Sequence, residues 1–382
     1  MSHSQEVDPI ALPSRHHKSF ADTPLRKFFE AAVKFEASDI ILRSEQQPKV
    51  RLRGELKSLD VPPIDPDDME TWIETGLSEQ QVEQYNRTGS LDIGMNFVIG
   101  EQSHRFRINL FRTRGRSAIA GRRINNKILS LEQLYLPESI GKLSELHSGL
   151  ILIAGVTGSG KSTTLAALLK LIADTRACHI LTIEDPIEYL FTDGKAIVNQ
   201  REVGVDVPSF PVALRAMVRE NPDVVLIGEM RDRETFEAAL QAAETGHLVF
   251  GTIHASSASQ AFGRIYDLFP QEEREAIRNM LAYQMQAFIY QKLVPSIKEG
   301  VQRMAGVEIL LQSNLTRKYI MDGREHELAT VIRESKEQGM QTFTDSLVDL
   351  VHKQYIHPRA AMAVASNPDE LKMRLKGMVG GV

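Results

Sequence analysis

The chain has 382 residues, enough for two or three domains that each bury a core. A formal net charge of -5 argues against binding nucleic acid through bulk positive charge, and the single cysteine, Cys178, excludes an internal disulfide and favours a buried thiol. No apolar run reaches the ~18 residues needed to span a bilayer, and the N-terminus has no apolar export signal. We therefore expect a cytoplasmic protein without a transmembrane segment.

The N-terminal part of the chain predicts a disordered arm followed by an α+β domain. Residues 1–23 contain few apolar side chains, and we interpret their basic cluster as solvated rather than bound to a partner. From Pro24 the spacing of apolar residues predicts a helix. Two strands, 39–43 and 49–53, follow this helix and are joined by a polar turn containing Pro48.

This domain continues with helices and an arginine-rich strand. Ser78 and Gln81 have the spacing of a capping box, which predicts a helix starting after Ser78. Between 105 and 111, alternation places one apolar face on the core and leaves a cationic face opposite, and more arginines follow up to Arg123. Guanidinium groups suit phosphate oxygens, but from the residues alone we slightly favour a solvated surface. The domain is assigned to residues 24–140.

A phosphate-binding motif organises the remainder of the chain. The sequence GVTGSGKS at 155–162 matches G-x-x-x-x-G-K-[ST], and it lies between an apolar predicted strand at 150–154 and a predicted helix. The N–H groups of such a loop point at phosphates, its lysine reaches the β- and γ-phosphates, and its serine holds Mg²⁺. The residues predicted to bind the nucleoside triphosphate are Gly155, Thr157, Gly158, Ser159, Gly160, Lys161, Ser162 and Thr163.

After a predicted linker at 141–148, residues 149–376 alternate strand and helix as a parallel α/β sheet does. Residues 377–382 are predicted to form a flexible tail. Three further apolar segments predict strands, at 180–184, 224–228 and 248–253. Beyond Pro270 the pattern predicts mainly helices, at 272–293, 315–322, 325–335 and 342–353.

Acidic residues and a histidine follow the carboxyl ends of these strands. In open α/β sheets, ligands bind at these strand ends. Asp185 and Glu188 follow the second strand, and Glu229 follows the third. Because Gly228 occupies the position that usually carries the Mg²⁺-binding aspartate, Glu229 acts either on Mg²⁺ through water or on the attacking water itself.

Two histidines flank the fourth strand. His247 precedes it and His254 follows it, so only His254 can lie beside the γ-phosphate. We expect His247 to act at an interface or as a structural hydrogen-bonding residue. A zinc site is not expected, because the sequence lacks cysteine pairs and the H-E-x-x-H spacing.

Four segments together resemble the secretion ATPases and, within these, the type IV pilus retraction ATPases of the PilT/PilU family. They are the phosphate loop, IEDPIE at 183–188, IGEMRD at 227–232 and AETGHLVFGTIH at 243–254. The resemblance implies a RecA-like ATPase domain preceded by a smaller PAS-like domain. It also implies a homohexamer that hydrolyses ATP with Mg²⁺ at the cytoplasmic face of the inner membrane. There it would act on a platform protein to disassemble pili.

The resemblance implies roles for individual residues. Lys161 would bind phosphate, Ser162 would bind the metal, Glu188 would be the acidic-box carboxylate, and Glu229 would be the catalytic glutamate. His247 and His254 would be the members of the histidine box. Three arginines of the N-terminal domain would reach the nucleotide, which favours anion binding over a solvated surface. They are Arg107, Arg116 and Arg122.

The direction of the motor stays open at this point. Residues 313–320 only partly match a segment that the family links to retraction. The alternatives are an accessory PilU-like subunit, which would work with a paralogous ATPase, and an extension or secretion ATPase. The single cysteine excludes the four-cysteine zinc module that extension motors usually carry.

Overall fold

The computed structural model describes residues 19–52, 54–124 and 127–377. Most of the predicted arm, residues 1–18, and the predicted tail from 378 onwards lie outside the described residues. The chain divides into two compact units, Met1–Asn125 and Asn126–Val382. In the described ranges no helix combines the length and the apolar character that crossing a bilayer requires.

The described part of the N-terminal unit is an antiparallel sheet with three α-helices, so the predicted α+β class is confirmed. The sheet order is β3-β2-β1-β6-β5-β4. The strands are β1 (Asp39–Arg43), β2 (Lys49–Leu52), β3 (Glu55–Ser58), β4 (Ser90–Ile99), β5 (Gln102–Thr113) and β6 (Arg116–Arg123). The helices are α1 (Arg26–Lys34), α2 (Pro66–Gly76) and α3 (Glu79–Thr88).

Aromatic packing forms the centre of this unit. The Phe29 ring stacks on Phe97 with centroids 4.3 Å apart, and its edge meets Phe106 at 5.0 Å. The predicted apolar face of β5 is confirmed, because its members Phe106, Ile108 and Leu110 are fully buried. The predicted capping box is also confirmed, with both of its hydrogen bonds present at the start of α3. The apolar face of β5 and the capping box of α3 both follow from residues close together in the sequence.

Two predicted boundaries of the N-terminal domain are wrong. The arm does not extend to residue 23, because Phe20 lies in a short 3₁₀ turn and is fully buried in the core. The unit ends near residue 125 rather than 140. Residues 141–148 are not a free linker, because Ile140 and Leu143 lie on a helical segment and belong to the same buried core cluster as Ile151 of the second unit.

The C-terminal unit contains a seven-stranded mixed sheet in the order β13-β12-β7-β11-β10-β8-β9. The strands are β7 (Gly149–Ala154), β8 (His179–Glu184), β9 (Ile197–Glu202), β10 (Val224–Ile227), β11 (Leu248–Ile253), β12 (Met285–Pro295) and β13 (Arg303–Leu311). The helices in the first half are α4 (Glu138–Lys142), α5 (Lys161–Thr175), α6 (Phe210–Met217), α7 (Arg233–Glu244), α8 (Ala258–Asp267) and α9 (Arg274–Gln284). Those in the second half are α10 (Asn314–Met321), α11 (Leu328–Glu334), α12 (Phe343–His352), α13 (Pro358–Val364) and α14 (Pro368–Leu375).

The four predicted strands, β7, β8, β10 and β11, form the parallel centre of this sheet. The helix predicted at 272–293 is wrong in its second half, because α9 ends at Gln284 and β12 follows. β12 pairs parallel with β7 and antiparallel with β13, which adds a mixed edge to the sheet. The buried run Ala287–Tyr290 is apolar on both faces, and such a run has the same appearance in a buried helix and a buried strand.

Cys178 is only partly buried, rather than buried as predicted, and packs against the core of the second unit. The carboxylate of Asp345 links helix α12 to helix α14 through hydrogen bonds. Asp345 of α12 accepts hydrogen bonds from Lys336 and Thr342, and Arg374 of α14 also donates to it. Burial alone would raise the pKa of Asp345, but these hydrogen bonds outweigh it and lower the pKa to about 2. The ionised form of Asp345 therefore stabilises the fold.

We expect Asp345→Asn to destabilise the protein by about 1 to 2 kcal/mol at pH 7, a value that allows for solvent screening. The contribution of the carboxylate is fully present above its unfolded pKa of 3.8 and is lost as the pH falls towards 2. Chemical denaturation at several pH values measures this difference. Asp349→Asn is the matched control, since Asp349 of α12 forms an exposed ion pair with Lys353, the residue directly after the helix. An equal loss in both variants contradicts the prediction.

Candidate functional site

The predicted phosphate loop lies between β7 and α5, as the motif requires. Gly155, Gly158 and Gly160 all have positive φ, at 153°, 77° and 87°. Gly155 also has no room for a side chain, because a Cβ there would overlap the Gln291 carbonyl oxygen and lie 2.5 Å from Ser159 Oγ. Helix α5 begins directly at Lys161, so its N-terminal N–H groups and helix dipole face the end of the loop.

The lysine of the loop is directed back onto the loop itself. Lys161 Nζ donates to the carbonyl oxygens of Gly155, at 2.8 Å, and Val156, at 3.2 Å. Burial lowers the pKa of Lys161, while the negative charges of Glu229 and Glu188 oppose this shift. The ammonium group therefore lies within the electrostatic reach of both predicted carboxylates.

Glu229 follows β10 and contacts the side chains of His254 and Arg231. Its Oε1 lies 2.9 Å from His254 Nε2, and its Oε2 accepts a hydrogen bond from Arg231. The Arg231 hydrogen bond is the main cause of a lowered pKa for Glu229, and nearby His254 adds to it against the effect of burial. Glu229 is thus held as a carboxylate at the edge of the sheet where the phosphate loop also lies.

The geometry explains why Gly228 precedes Glu229. A Cβ on Gly228 would lie 3.2 Å from the Ile183 carbonyl oxygen and 3.3 Å from Glu184 Cα, which is tighter than ordinary van der Waals contact. The Thr252 hydroxyl donates to the Gly228 carbonyl oxygen at 2.6 Å. The usual aspartate position is therefore closed by the end of β8, and the next residue supplies the carboxylate.

The acidic segment after β8 is held by buried carboxylates. Glu184 accepts hydrogen bonds from the Thr182 hydroxyl at 2.7 Å and from the N–H of Glu188 at 3.4 Å. Burial raises the pKa of Glu184, and these hydrogen bonds oppose that shift. Glu202 of the neighbouring strand accepts from the N–H of Ile187 at 3.2 Å. Together they fix the backbone that carries Asp185 and Glu188.

The two histidines lie at opposite ends of β11, as the strand length predicts. His247 Nδ1 is 2.9 Å from the Ala242 carbonyl oxygen and 3.1 Å from the Thr245 hydroxyl, so the ring closes the turn between α7 and β11. Of the two predicted roles for His247, these contacts favour the structural one. His254 is the histidine that reaches Glu229.

The residues present fit a Mg²⁺ ion that is held chiefly through phosphates. In the part of the chain that the structure describes, no three His, Cys, Asp or Glu side chains form a ready-made metal site. Mg²⁺ in nucleotide sites needs only one or two protein ligands beside the phosphates and water. Ser162 lies in the first turn of α5, and Glu229 Oε1 is buried with His254 Nε2 beside it, at 2.9 Å.

The predicted arginines lie in the N-terminal unit and do not form a single group. Arg107 and Arg122 are paired in register on β5 and β6, and they line a cavity of about 390 Å³ together with Asp39. Arg116 instead pairs with Glu45 at 3.7 Å. Arg105, predicted on the same cationic face as Arg107, is buried, with 8% of its surface exposed.

Sequence reasoning missed three side chains at the phosphate loop and the neighbouring strand ends. Arg231 contacts Glu229, Tyr189 shares a hydrogen bond with Thr163 at 2.8 Å, and Gln291 of β12 bonds to the loop. Tyr189 directly follows Glu188 and Arg231 lies two residues after Glu229, and that proximity to predicted catalytic residues was an available signal. Gln291 is a polar residue in an apolar run, which indicates a buried partner only once that run is recognised as a strand.

Comparison with known proteins adds three findings. Residues 16–359 match a family model described as type II/IV secretion system protein. The chain is 39% identical over 334 residues to the type IV pilus retraction ATPase PilT of Pseudomonas aeruginosa, covering 87% of this chain and 95% of that protein. It is 36% identical over 351 residues to the type IV pilus ATPase PilU of the same organism, covering 92% and 91%.

Its fold is also similar to a solved structure. The crystal structure of the pilus retraction motor PilT with bound ADP superimposes with a TM-score of 0.83 at 40% identity, covering 91% of this chain and 98% of the other. The similarity therefore extends over both compact units.

Proposed function

The chain belongs to the type II/IV secretion system protein family, and we propose that it is an ATPase that powers type IV pilus retraction. The contact that carries this proposal is the one between Glu229 and His254 beside the phosphate loop. It supplies a carboxylate at the strand ends where an attacking water would reach a γ-phosphate. The names of the PilT relative and the PilT structure, which describe retraction motors, support the direction of the motor.

Phosphoryl transfer depends mainly on positioning and charge stabilisation, and each residue of the site would have a separate role in it. The N–H groups of the phosphate loop and the Lys161 ammonium would bind the β- and γ-phosphates. Ser162 would hold Mg²⁺ directly and Glu229 through water, and the ion would neutralise phosphate charge. Glu229 would orient the attacking water and accept its proton, with His254 beside it. Glu188 would add negative charge next to Lys161, and Asp185 would do so next to Arg231.

The proposal includes an assembly and a location. The chain would form a homohexamer at the cytoplasmic face of the inner membrane and act on an integral platform protein of the pilus, without nucleic acid. Arg107, Arg116 and Arg122 would reach the nucleotide, and exposed guanidinium groups suit this role because they form paired hydrogen bonds with phosphate.

Arg231 offers a test of the role of Glu229. Because the Arg231 hydrogen bond is the main cause of the lowered Glu229 pKa, Arg231→Gln should raise that pKa. If Glu229 must be ionised to act, the acid limb of the kcat/KM profile for ATP then moves to higher pH. Steady-state hydrolysis across the pH range measures the shift. Arg233→Gln is the control, since Arg233 pairs with Glu237 and Glu273, and an unmoved limb in both variants contradicts the assignment.

Deletion of the gene tests the direction of the motor. We expect cells that carry more surface pili than the parent and that no longer move by twitching. Bald cells would contradict retraction and indicate an extension ATPase. Complementation with the intact gene and with Glu229→Gln shows whether hydrolysis is needed.

The likeness to PilU favours an accessory motor subunit as the second candidate function. Such a subunit would assist a paralogous retraction ATPase, so its deletion would leave twitching nearly intact. The two candidates therefore differ in the motility of the same deletion strain.

A further inference from the structure

A buried glutamine joins strand β12 to the phosphate loop. Gln291 has 2% of its surface exposed. Its Nε2 donates to the Ser159 carbonyl oxygen at 2.8 Å, and its Oε1 accepts from the Thr164 hydroxyl at 2.8 Å. Both polar atoms of the amide are thus used, one on the loop and one on the first turn of α5.

The surrounding contacts show how closely β12 follows the loop. The Gln291 carbonyl oxygen occupies the space that a side chain on Gly155 would need, and its Nε2 lies 2.7 Å from the position of a Cβ on Gly160. Gln291 therefore lies against the first and the last glycine of the motif. Its backbone lies against the start of the loop and its side chain against the end, so a rearrangement of the side chain would act on the loop at Ser159 and Gly160.

The hydrogen bond to Ser159 also sets the direction of a neighbouring donor. In a trans peptide the C=O and the following N–H point in opposite directions. Because Gln291 binds the Ser159 carbonyl oxygen towards β12, the N–H of Gly160 must point away from β12. A loop that binds phosphate depends on N–H groups with such fixed directions.

We propose that Gln291 is a positioning residue of the nucleotide site, which fixes the Ser159–Gly160 peptide so that the Gly160 N–H faces the phosphates. This inference rests on the proposed function, because it takes the phosphate loop to be the nucleotide site. A glutamine that only satisfied buried polar groups would affect stability and leave nucleotide affinity unchanged. The role proposed here acts on affinity.

The test compares ADP binding, ATP hydrolysis and thermal unfolding of the full chain with Gln291→Met, which keeps the size of the side chain and removes both hydrogen bonds. We expect the Kd for ADP and the KM for ATP to rise about tenfold, as for the loss of one or two net hydrogen bonds. The kcat at saturating ATP should stay within about threefold, since the catalytic carboxylate is untouched. Thr164→Val keeps the bond to Ser159, so its Kd should rise less than about threefold.

Gln312→Met is the matched control, because Gln312 is a partly buried glutamine that donates to the Ala282 carbonyl oxygen at the other end of β12. An ADP Kd unchanged in Gln291→Met, or raised equally in Gln312→Met, overturns the inference. If Gln291→Met does not fold, Gln291→Asn replaces it with the same expectation, since its shorter amide cannot span both partners. Lys161→Ala is measured alongside. Normal ADP binding in that variant refutes the proposed site, whereas lost binding there with an unchanged Gln291→Met refutes only the role of Gln291.

Discussion

Glu229→Gln should reduce ATP turnover by about a thousandfold while leaving the affinity for ADP nearly unchanged, within the range expected for a lost general base. The substitution preserves size and removes the negative charge that His254 and Arg231 contact. Glutamine can still accept a hydrogen bond, but it cannot take a proton from water. Phosphate release from purified protein and titration with a fluorescent ADP analogue separate the two effects.

Glu234→Gln is the matched control for this prediction. Glu234 lies five residues further on, exposed in the first turn of α7, and forms no hydrogen bond or ion pair with the described residues of the site. We expect its turnover to equal that of the unmodified protein. Turnover above about a tenth of normal in folded Glu229→Gln would show that another group activates the water. Loss of ADP binding would instead show that Glu229 is needed to build the site.

Features fixed by local chemistry were predictable from sequence. The phosphate loop is such a feature, because a buried strand, a glycine turn and a helix follow one another along the chain. The positions of Glu229 and His254 were also predictable, since parallel neighbouring strands end at the same edge of a sheet. His247 could be separated from His254 for the same reason.

Features that depend on distant contacts were not predictable in the same way. Whether residues 285–295 form a helix or a strand is decided by pairing with β7 and β13, and an apolar run carries no mark of these partners. Because this segment was predicted to be a helix, the contact of Gln291 with the phosphate loop was not foreseen. That contact depends on the pairing of β12 with β7. Phe20 and Ile140 show the same limit, because each lies in a polar stretch and is ordered by a core formed elsewhere.

The predicted role of the arginines depends on a different kind of information. Arg107 and Arg122 share a surface with Asp39, and Arg122 Nε lies 2.9 Å from Asp39 Oδ1. An exposed ion pair of this kind adds little to stability, so the pair can separate at small cost when a phosphate competes for the guanidinium. The arrangement is consistent with a proposed anion contact, and alternation along β5 alone could not distinguish it from a solvated face.

Gly155→Ala is expected to be the most damaging small substitution in the phosphate loop. The residue has a φ of 153°, and the added methyl group would overlap the Gln291 carbonyl oxygen and lie 2.5 Å from Ser159 Oγ. Neither a strand backbone nor a buried hydroxyl can move aside easily, so we expect a loss of about 3 kcal/mol in the free energy of unfolding. ADP affinity should fall more than about tenfold, since the loop must shift to admit the methyl group.

Alanine substitutions at two further glycines serve as comparisons for Gly155→Ala. Gly158 has a positive φ but open space around its Cβ position, so Gly158→Ala should cost only the backbone strain, about 1 kcal/mol. Gly263 lies in α8 with open space and ordinary helical φ, so Gly263→Ala should stabilise the helix by about 0.5 to 1 kcal/mol. Urea unfolding and ADP titration of the three variants measure the order. If Gly155→Ala is no worse than Gly158→Ala, the close approach of β12 to the loop does not constrain the nucleotide site.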